Sequence, residues 1–296
     1  MRCRVLLLVL LAWSASLEVA LAWGPEGHSI VAEIAQRRLS PAAAASVEAI
    51  LGKGHSLASV SSWADDQRAA RPDTYNWHFV DIPITEHPSS PDKYCSGGSC
   101  VVGQIKADVQ TLQDPAASVS AKQIALMFLV HFVGDEHQPL HCANEIDPQT
   151  HVNDRGGNLK PVKIPGVSTK YPLDLHSLWD HQLQPEDSND PGAVASRLGG
   201  GIADGDGGAW TSGDFVTAAA LESFFTAQKV IYPAFHAPDG ATITPAYQDQ
   251  MQPIVDDRMK RAGVRLAALL ERSFPAVKGV PVQATAGNIE LPPTRP

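Results

Sequence analysis

The stretch H-F-V-G-D-E-H-Q-P-L-H, from His131 to His141, limits what this chain can fold into more than any other. It follows the apolar run Ile124 to Val130, which reads as a buried helix. His131 and Asp135 are four residues apart, so on a helix they share a face and can point at one ion. His141 lies roughly 80° further round an ideal helix and beyond a kink at Pro139, an offset that suits a neighbouring second ion better than the same one. The His-x3-Asp spacing returns at His176 and Asp180, in L-H-S-L-W-D. Two such pairs and an extra histidine predict a polynuclear zinc site on a helical scaffold, built for phosphoester hydrolysis.

Residues 1–22 read as a secretory signal rather than as part of the fold. Arg2 and Arg4 form a basic start, Val5 to Ala12 an apolar core, and Ala20-Leu21-Ala22 a cleavage site. The apolar core is too short to span a bilayer. The expectation is a protein exported through a cleaved signal peptide, periplasmic or secreted, without a membrane anchor. Processing leaves Trp23, in W-G-P-E-G-H, as the first residue, and its α-amino group has a pKa low enough to be a neutral metal ligand. His28 stands five residues on. Read locally, this is an ordinary first turn with a surface histidine.

The formal charge is −9, and removal of residues 1–22, which carry Arg2, Arg4 and Glu18, leaves −10. An acidic protein is a poor coat for nucleic acid, which argues against a non-specific DNA binder. It does not argue against a nuclease, because bound divalent ions place positive charge at the cleft alone. Cys95 and Cys100, in C-S-G-G-S-C, are close enough for a small-loop disulfide in an oxidising compartment. Cys142 is then unpaired and reads as a small buried thiol rather than a further ligand.

The remaining chain is long enough for one large domain or two small ones. Helices are expected at 30–39, from Ser40-Pro41 to near Gly52, and at 57–71, 102–112, 121–140, 213–231 and 247–273, with His176 on another. Residues 75–83, aromatic and β-branched, read as a short extended piece. Residues 156–165 alternate like a strand in a hairpin. Residues 184–209, rich in Gly, Pro and Asp, read as a long loop, either a lid or a surface insertion. Residues 277–296 are Pro-rich and expected to be disordered.

Every candidate ligand also has a plainer reading. Asp65 and Asp66, in W-A-D-D, describe a solvated helix face with only one of the two as a ligand. His78, between Trp77 and Phe79, describes a packed histidine, and Asp135 a buried hydrogen-bonded carboxylate. His55, His87, His137, His151, His181 and His236 lack supporting spacing and are assigned to the surface or to positions behind the ligands. Unpaired polar groups beside apolar runs are costly, and a shared ion gives each of them a partner. Imidazole and carboxylate without thiolate suits Zn2+ in a catalytic site.

Taken in order, W-G-x-x-G-H, S-W-A-D, W-H-F-V-D, H-F-V-G-D-x-x-Q-P-L-H, G-G-N and L-H-S-x-W-D resemble the zinc-dependent single-strand nuclease family, which includes the fungal enzymes called S-one and P-one and the plant mung-bean type. The resemblance runs from Trp23 to the segment ending near Leu270. It implies a mainly α fold, a single helical domain of the zinc phospholipase C / P-one nuclease type with a small β-hairpin. The implied layout is a signal peptide over 1–22, a trinuclear zinc nuclease domain over 23–275 and a tail over 276–296.

The resemblance further implies three zinc ions per chain. Asp65, His78, His131 and Asp135 would hold one, and His141, His176 and Asp180 a second. The third would take the amino nitrogen and carbonyl of Trp23 with His28 and Asp135, so Asp135 bridges two ions. Asp65 would also orient the attacking water, and Arg68 would face the transferring phosphate. Phe79 and Asp81 match a nucleobase pocket, one stacking and the other hydrogen bonding, with Asn158 on the opposite wall. Arg155 departs from the family by replacing an apolar pocket residue of some fungal members, and its side chain suits a phosphate contact or a stacked base. The implied substrates are single-stranded nucleic acid and nucleotides, with 5′-phosphate products and a 3′-nucleotidase side activity. No stable protein partner is implied, and the chain is expected to be a monomer. A zinc phospholipase C is the nearest rival, but those enzymes resemble His-x3-Glu at the second pair, where this chain has Asp180. A non-catalytic zinc-binding protein is a second rival, against which Arg68 argues.

Overall fold

The computed structural model describes residues 23–275 apart from 167–171, 184–188, 204, 238 and 239. The expected signal peptide and the expected tail lie outside the described residues. The fold is mainly helical, and it is arranged around the helix Val119–His137. Ser118 starts this helix by accepting a hydrogen bond from the Ala121 amide at 3.1 Å. From Ala125 to His137 every residue is buried, so the helix has no solvated face. It stops at Gln138, whose extended backbone (ψ 114°) is what the following Pro139 demands.

The neighbours of this central helix follow from simple signals. Val101–Gln113 lies along it, and the long helix Pro245–Ser273 packs on both it and the first helix, Pro25–Gln36. Ser40 caps the helix Pro41–Leu51 through a bond from the Ala43 amide, as the Ser-Pro pair predicts. Phe128 and Phe132 stack at 5.0 Å, with Trp63 and Trp77 edge-on to Phe128. This aromatic wall ends against the ring of His78, edge-on to Phe132 at 5.0 Å.

Several expectations are corrected. The helix expected over 57–71 is two single turns, Leu57–Val60 and Trp63–Asp66. The break turns the Ser61 carbonyl towards His131, whose Nδ1 lies 2.8 Å away. Residues 72–78 form a 3-10 segment before the chain becomes extended at Val80 and pairs with residues 141–144. The strand expected from 156 starts later, because Gly156 and Gly157 take left-handed φ of 63° and 87° and make a turn. Pairing beyond it is confined to isolated bridges such as Pro161 with Asp174, and residues 167–171, where a hairpin would turn, lie outside the described residues.

The long loop expected over 184–209 contains a helix, Pro191–Gly200, and a short one, Asp206–Trp210. Asp190 accepts from the Ala193 amide at 3.0 Å and Pro191 opens the first turn, a start signal that the glycines obscured. Val194 and Leu198 then bury where this helix meets the first one. The helix expected over 213–231 becomes Phe215–Thr226 followed by one π-turn, Ala227–Ile231.

Candidate metal centre and cleft

Three elements deliver the first group of side chains. The central helix presents His131 and Asp135 on one face, with His131 Nε2 3.3 Å from Asp135 Oδ2. The 3-10 segment presents His78, whose Nδ1 lies 2.9 Å from Asp135 Oδ2 and 3.7 Å from Asp65 Oδ1. The turn Trp63–Asp66 presents Asp65, 3.5 Å from His131 Nε2. Asp66 is exposed, so the pair W-A-D-D divides into one ligand candidate and one solvated residue.

The first helix adds His28. It begins at Pro25 rather than at Ile30, so His28 lies within it and is buried, not the surface histidine that the local sequence describes. Its Nε2 lies 3.3 Å from Asp135 Oδ1, and its ring stacks on His131 at 4.0 Å. Trp23 is fully buried, and the Gly24 amide beside it donates to the Asp180 carbonyl at 2.8 Å.

The second group is built by a short helical turn, Leu175–Ser177, running into a π-turn, Leu178–Gln182. Asp174 and Ser177 cap each other's backbone, which fixes the start. His176 Nε2 then faces His141 Nε2 at 3.1 Å and Asp180 Oδ2 at 3.5 Å. His131, His141 and His176 each donate Nδ1–H to a backbone carbonyl, of Ser61, His78 and Gly156. Those bonds set one tautomer and leave Nε2 as the ligand atom. Gln138 donates to Asp180 Oδ1 at 2.6 Å, so the residue that ends the central helix also aims a carboxylate of the second group. The sequence predicts a kink at Pro139 in a helix running to 140, whereas the helix ends at His137 and Gln138 turns to Asp180.

The electrostatics follow from burial and crowding. Burial pushes His78 down to about 4, against the pull of Asp135. Burial, reinforced by His141, pushes His176 down to about 3. Burial would also lower His131, but Asp135 and Asp65 outweigh it and raise the imidazole to about 10. Burial raises Asp180 well above the carboxylate range, while at Asp135 the charge and bonds of His131 win over burial and hold it well below.

Asp65 Oδ1, His131 Nε2, Asp135 Oδ1 and both ring nitrogens of His28 are buried with no hydrogen-bond partner among the described residues. Nitrogen and oxygen atoms that converge without hydrogens between them are what a shared cation satisfies. Three sets of ligand atoms could each hold an ion: His28, Asp65 and His131; His78, His131 and Asp135; and His141, His176 and Asp180.

Beside these groups lies a cleft of about 610 Å³, lined by Arg68, Phe79, Asp81, Arg155, Asn158 and others, with His141 and His176 at its metal side. Arg68 Nε sits 3.2 Å from Asp65 Oδ1 and 3.4 Å from His78 Nε2, between the ligands and the opening. Phe79 meets Tyr75 edge-on at 5.8 Å. Burial raises Asp81 to about 6, against the bond from Asn153. Cys95 and Cys100 form the expected disulfide, and Cys142 is a buried free thiol, as expected. Of the two positions expected for His137 it takes the second: it is fully buried and accepts from Arg265 at 3.0 Å behind the centre, while Nδ1 donates within its own helix. No helix among the described residues is long and apolar enough to cross a membrane.

Residues 23–275 match the family model described as S1/P1 Nuclease. Nuclease P1 of Penicillium citrinum is 37% identical over 165 residues, covering 53% of this chain and 57% of that protein, so the match spans little more than half of that relative. Endonuclease 2 of Arabidopsis thaliana is 30% identical over 280 residues, covering 85% of this chain and 90% of that protein. Nuclease S1 of Aspergillus oryzae is 27% identical over 273 residues, covering 84% and 91%. With nearly the whole described chain matched and the ligand groups assembled in one centre, the protein belongs to the S1/P1 nuclease family.

Proposed function

We propose that this protein is an exported zinc-dependent endonuclease that hydrolyses phosphodiester bonds in single-stranded DNA and RNA, leaving 5′-phosphate products, with activity on 3′-nucleotides as well. The supporting observation is the convergence of three His/Asp groups with unpartnered buried ligand atoms, two of whose histidines, His141 and His176, line a cleft that also carries Arg68 and Phe79.

Asp65, His78, His131 and Asp135 would hold one zinc, His141, His176 and Asp180 a second, and Trp23 with His28 and Asp135 a third. Bound zinc supplies a water whose pKa falls to about 7 and positive charge where oxygen anions develop. Asp65 orients the attacking water, and its carboxylate lies within reach of Arg68. Arg68 donates to the non-bridging phosphate oxygens, a preorganised role because burial and Asp65 already fix its guanidinium. Phe79 stacks a base and Asp81 bonds to its edge, with Asn158 opposite. Stacking needs an unstacked nucleotide and contributes roughly 1–3 kcal/mol per base, which favours single strands over duplex.

Trp23 as a ligand requires cleavage after Ala22, so the export signal and the third zinc are one requirement. The test is digestion of end-labelled single-stranded and duplex DNA of the same sequence. Preferential cleavage of the single strand, with 5′-phosphate ends, is expected. Equal rates on duplex, or hydrolysis of phosphatidylcholine instead, would overturn the reading.

A further inference from the structure

Two arginines, Arg68 and Arg155, line the cleft. Arg68 is engaged with Asp65 and His78. Arg155 is exposed and lines the same cleft, yet its guanidinium has no hydrogen bond or ion pair among the described residues. Its backbone is the opposite case. Arg155 takes a left-handed φ of 56°, which costs a residue with a side chain, and two asparagines hold it there. The Arg155 amide donates to Asn153 Oδ1 at 2.7 Å, and the Asn158 side chain donates to the Arg155 carbonyl at 2.6 Å. The next residue, Gly156, accepts from His176 Nδ1 at 2.7 Å, and a Cβ at Gly156 would sit 2.3 Å from the Leu140 carbonyl. The turn is therefore fixed relative to the second ligand group, and the one free cation-bearing side chain on it is aimed from a rigid base.

Three chemistries could meet that guanidinium. The reacting phosphate belongs with Arg68 and the metal wall. The base belongs with Phe79 and the half-buried Asp81, whose carboxyl is joined to the same turn through Asn153. A strand longer than one nucleotide brings a further phosphate, and an unpaired, exposed guanidinium meets a phosphate with two parallel charge-assisted bonds. On a protein of net negative charge, that contact also opposes long-range repulsion of the strand.

Resting on the nuclease reading above, we propose that Arg155 binds the phosphate of a nucleotide adjacent to the scissile one, and so gives this chain a preference for oligonucleotides over mononucleotides. Arg155 is a specificity-determining residue in this account, acting on substrate capture and not on the bond that breaks.

The experiment compares a single-stranded hexanucleotide with a 3′-mononucleotide for the wild type, Arg155→Gln and Arg155→Lys, across a salt series. For Arg155→Gln the hexanucleotide-to-mononucleotide ratio of kcat/KM should fall about tenfold, the size expected for losing one charge-assisted contact. The fall should lie in KM, and the slope of log KM against log salt should lessen by about 0.7, one single-strand phosphate contact. Arg155→Lys should recover part of the ratio. Zinc content should match wild type in both. An unchanged ratio, or a fall in kcat on both substrates together, overturns the proposal while leaving the nuclease reading intact. A wild type that cleaves neither substrate overturns both.

Discussion

Gly134 is the residue through which the central helix admits His28. A Cβ there would lie 2.5 Å from His28 Nδ1, and the ring cannot retreat because it stacks on His131 and contacts Asp135. Gly134→Ala should displace His28 and, on the proposed three-zinc centre, lower the metal content from three ions per chain to two by elemental analysis. Alanine is the better helix former by about 1 kcal/mol, so a loss cannot be blamed on the helix itself. Retention of three zincs would contradict the placement of His28 in the centre. Arg68 permits a complementary test. Arg68→Ala should reduce kcat about 100- to 1000-fold, as for other preorganised donors to a developing anion, with zinc content intact. Loss of zinc together with activity would assign Arg68 to holding the ligands instead.

At the scale of elements, the central helix is anchored at its buried end by residues that no motif marks. Arg258 donates to the His137 carbonyl at 3.2 Å and to Ser223, while Arg265 donates to His137 and makes two parallel hydrogen bonds to the Glu222 carboxylate. Burial would raise Glu222, but the bonds and charges of Arg265 and Arg258 win and hold it at about 2. A depressed carboxylate stabilises the fold above its unfolded pKa of about 4.3, and that contribution is lost as pH falls from there through about 2. Glu222→Gln should lower the unfolding free energy at neutral pH by about 2 kcal/mol, because it leaves buried guanidinium charge uncompensated at a partly exposed partner. Its urea midpoint should also depend less on pH below 4 than that of the wild type. Equal acid sensitivity in both proteins would contradict this assignment. The Cys95–Cys100 bond is a smaller anchor, closing a loop whose end, Val101, donates its amide to the Phe79 carbonyl at 3.1 Å. Its removal should cost about 2 kcal/mol of stability, from the closure entropy of so short a loop.

Legibility in the sequence divides along the same line. His-x3-Asp spacing on a helix is a local rule, so His131 with Asp135 and His176 with Asp180 could be read directly, the second pair on a π-turn that the spacing did not foresee. The Ser-Pro cap at Ser40 was equally local. His28 was not legible from its neighbours, because its burial is made by a helix more than a hundred residues away. The same holds for Gln138, whose partner Asp180 comes from a different element, and for His137, buried by Arg265 from the last helix. The helix at 191–200 was hidden because glycine content outweighed one Asp-Pro start signal.

At the scale of the whole molecule, an acidic chain confines its attraction for polyanions to one place. His141 and His176 of the metal groups line one cleft with Arg68 and Arg155, and elsewhere several surface cations are paired, as Lys93 is with Glu86, Lys106 with Asp214 and Lys160 with Glu145. In the proposed centre that cleft depends on processing, since Trp23 can offer its amine only after residues 1–22 are removed. The most direct measurement is therefore hydrolysis of single-stranded DNA by protein processed to begin at Trp23, with a chelator, after return of Zn2+, and beside the same protein carrying extra residues before Trp23. Cleavage that stops on chelation, returns with Zn2+ and is crippled by the extension is the expected result. Cleavage that survives complete removal of zinc, or that is indifferent to residues before Trp23, would contradict the account.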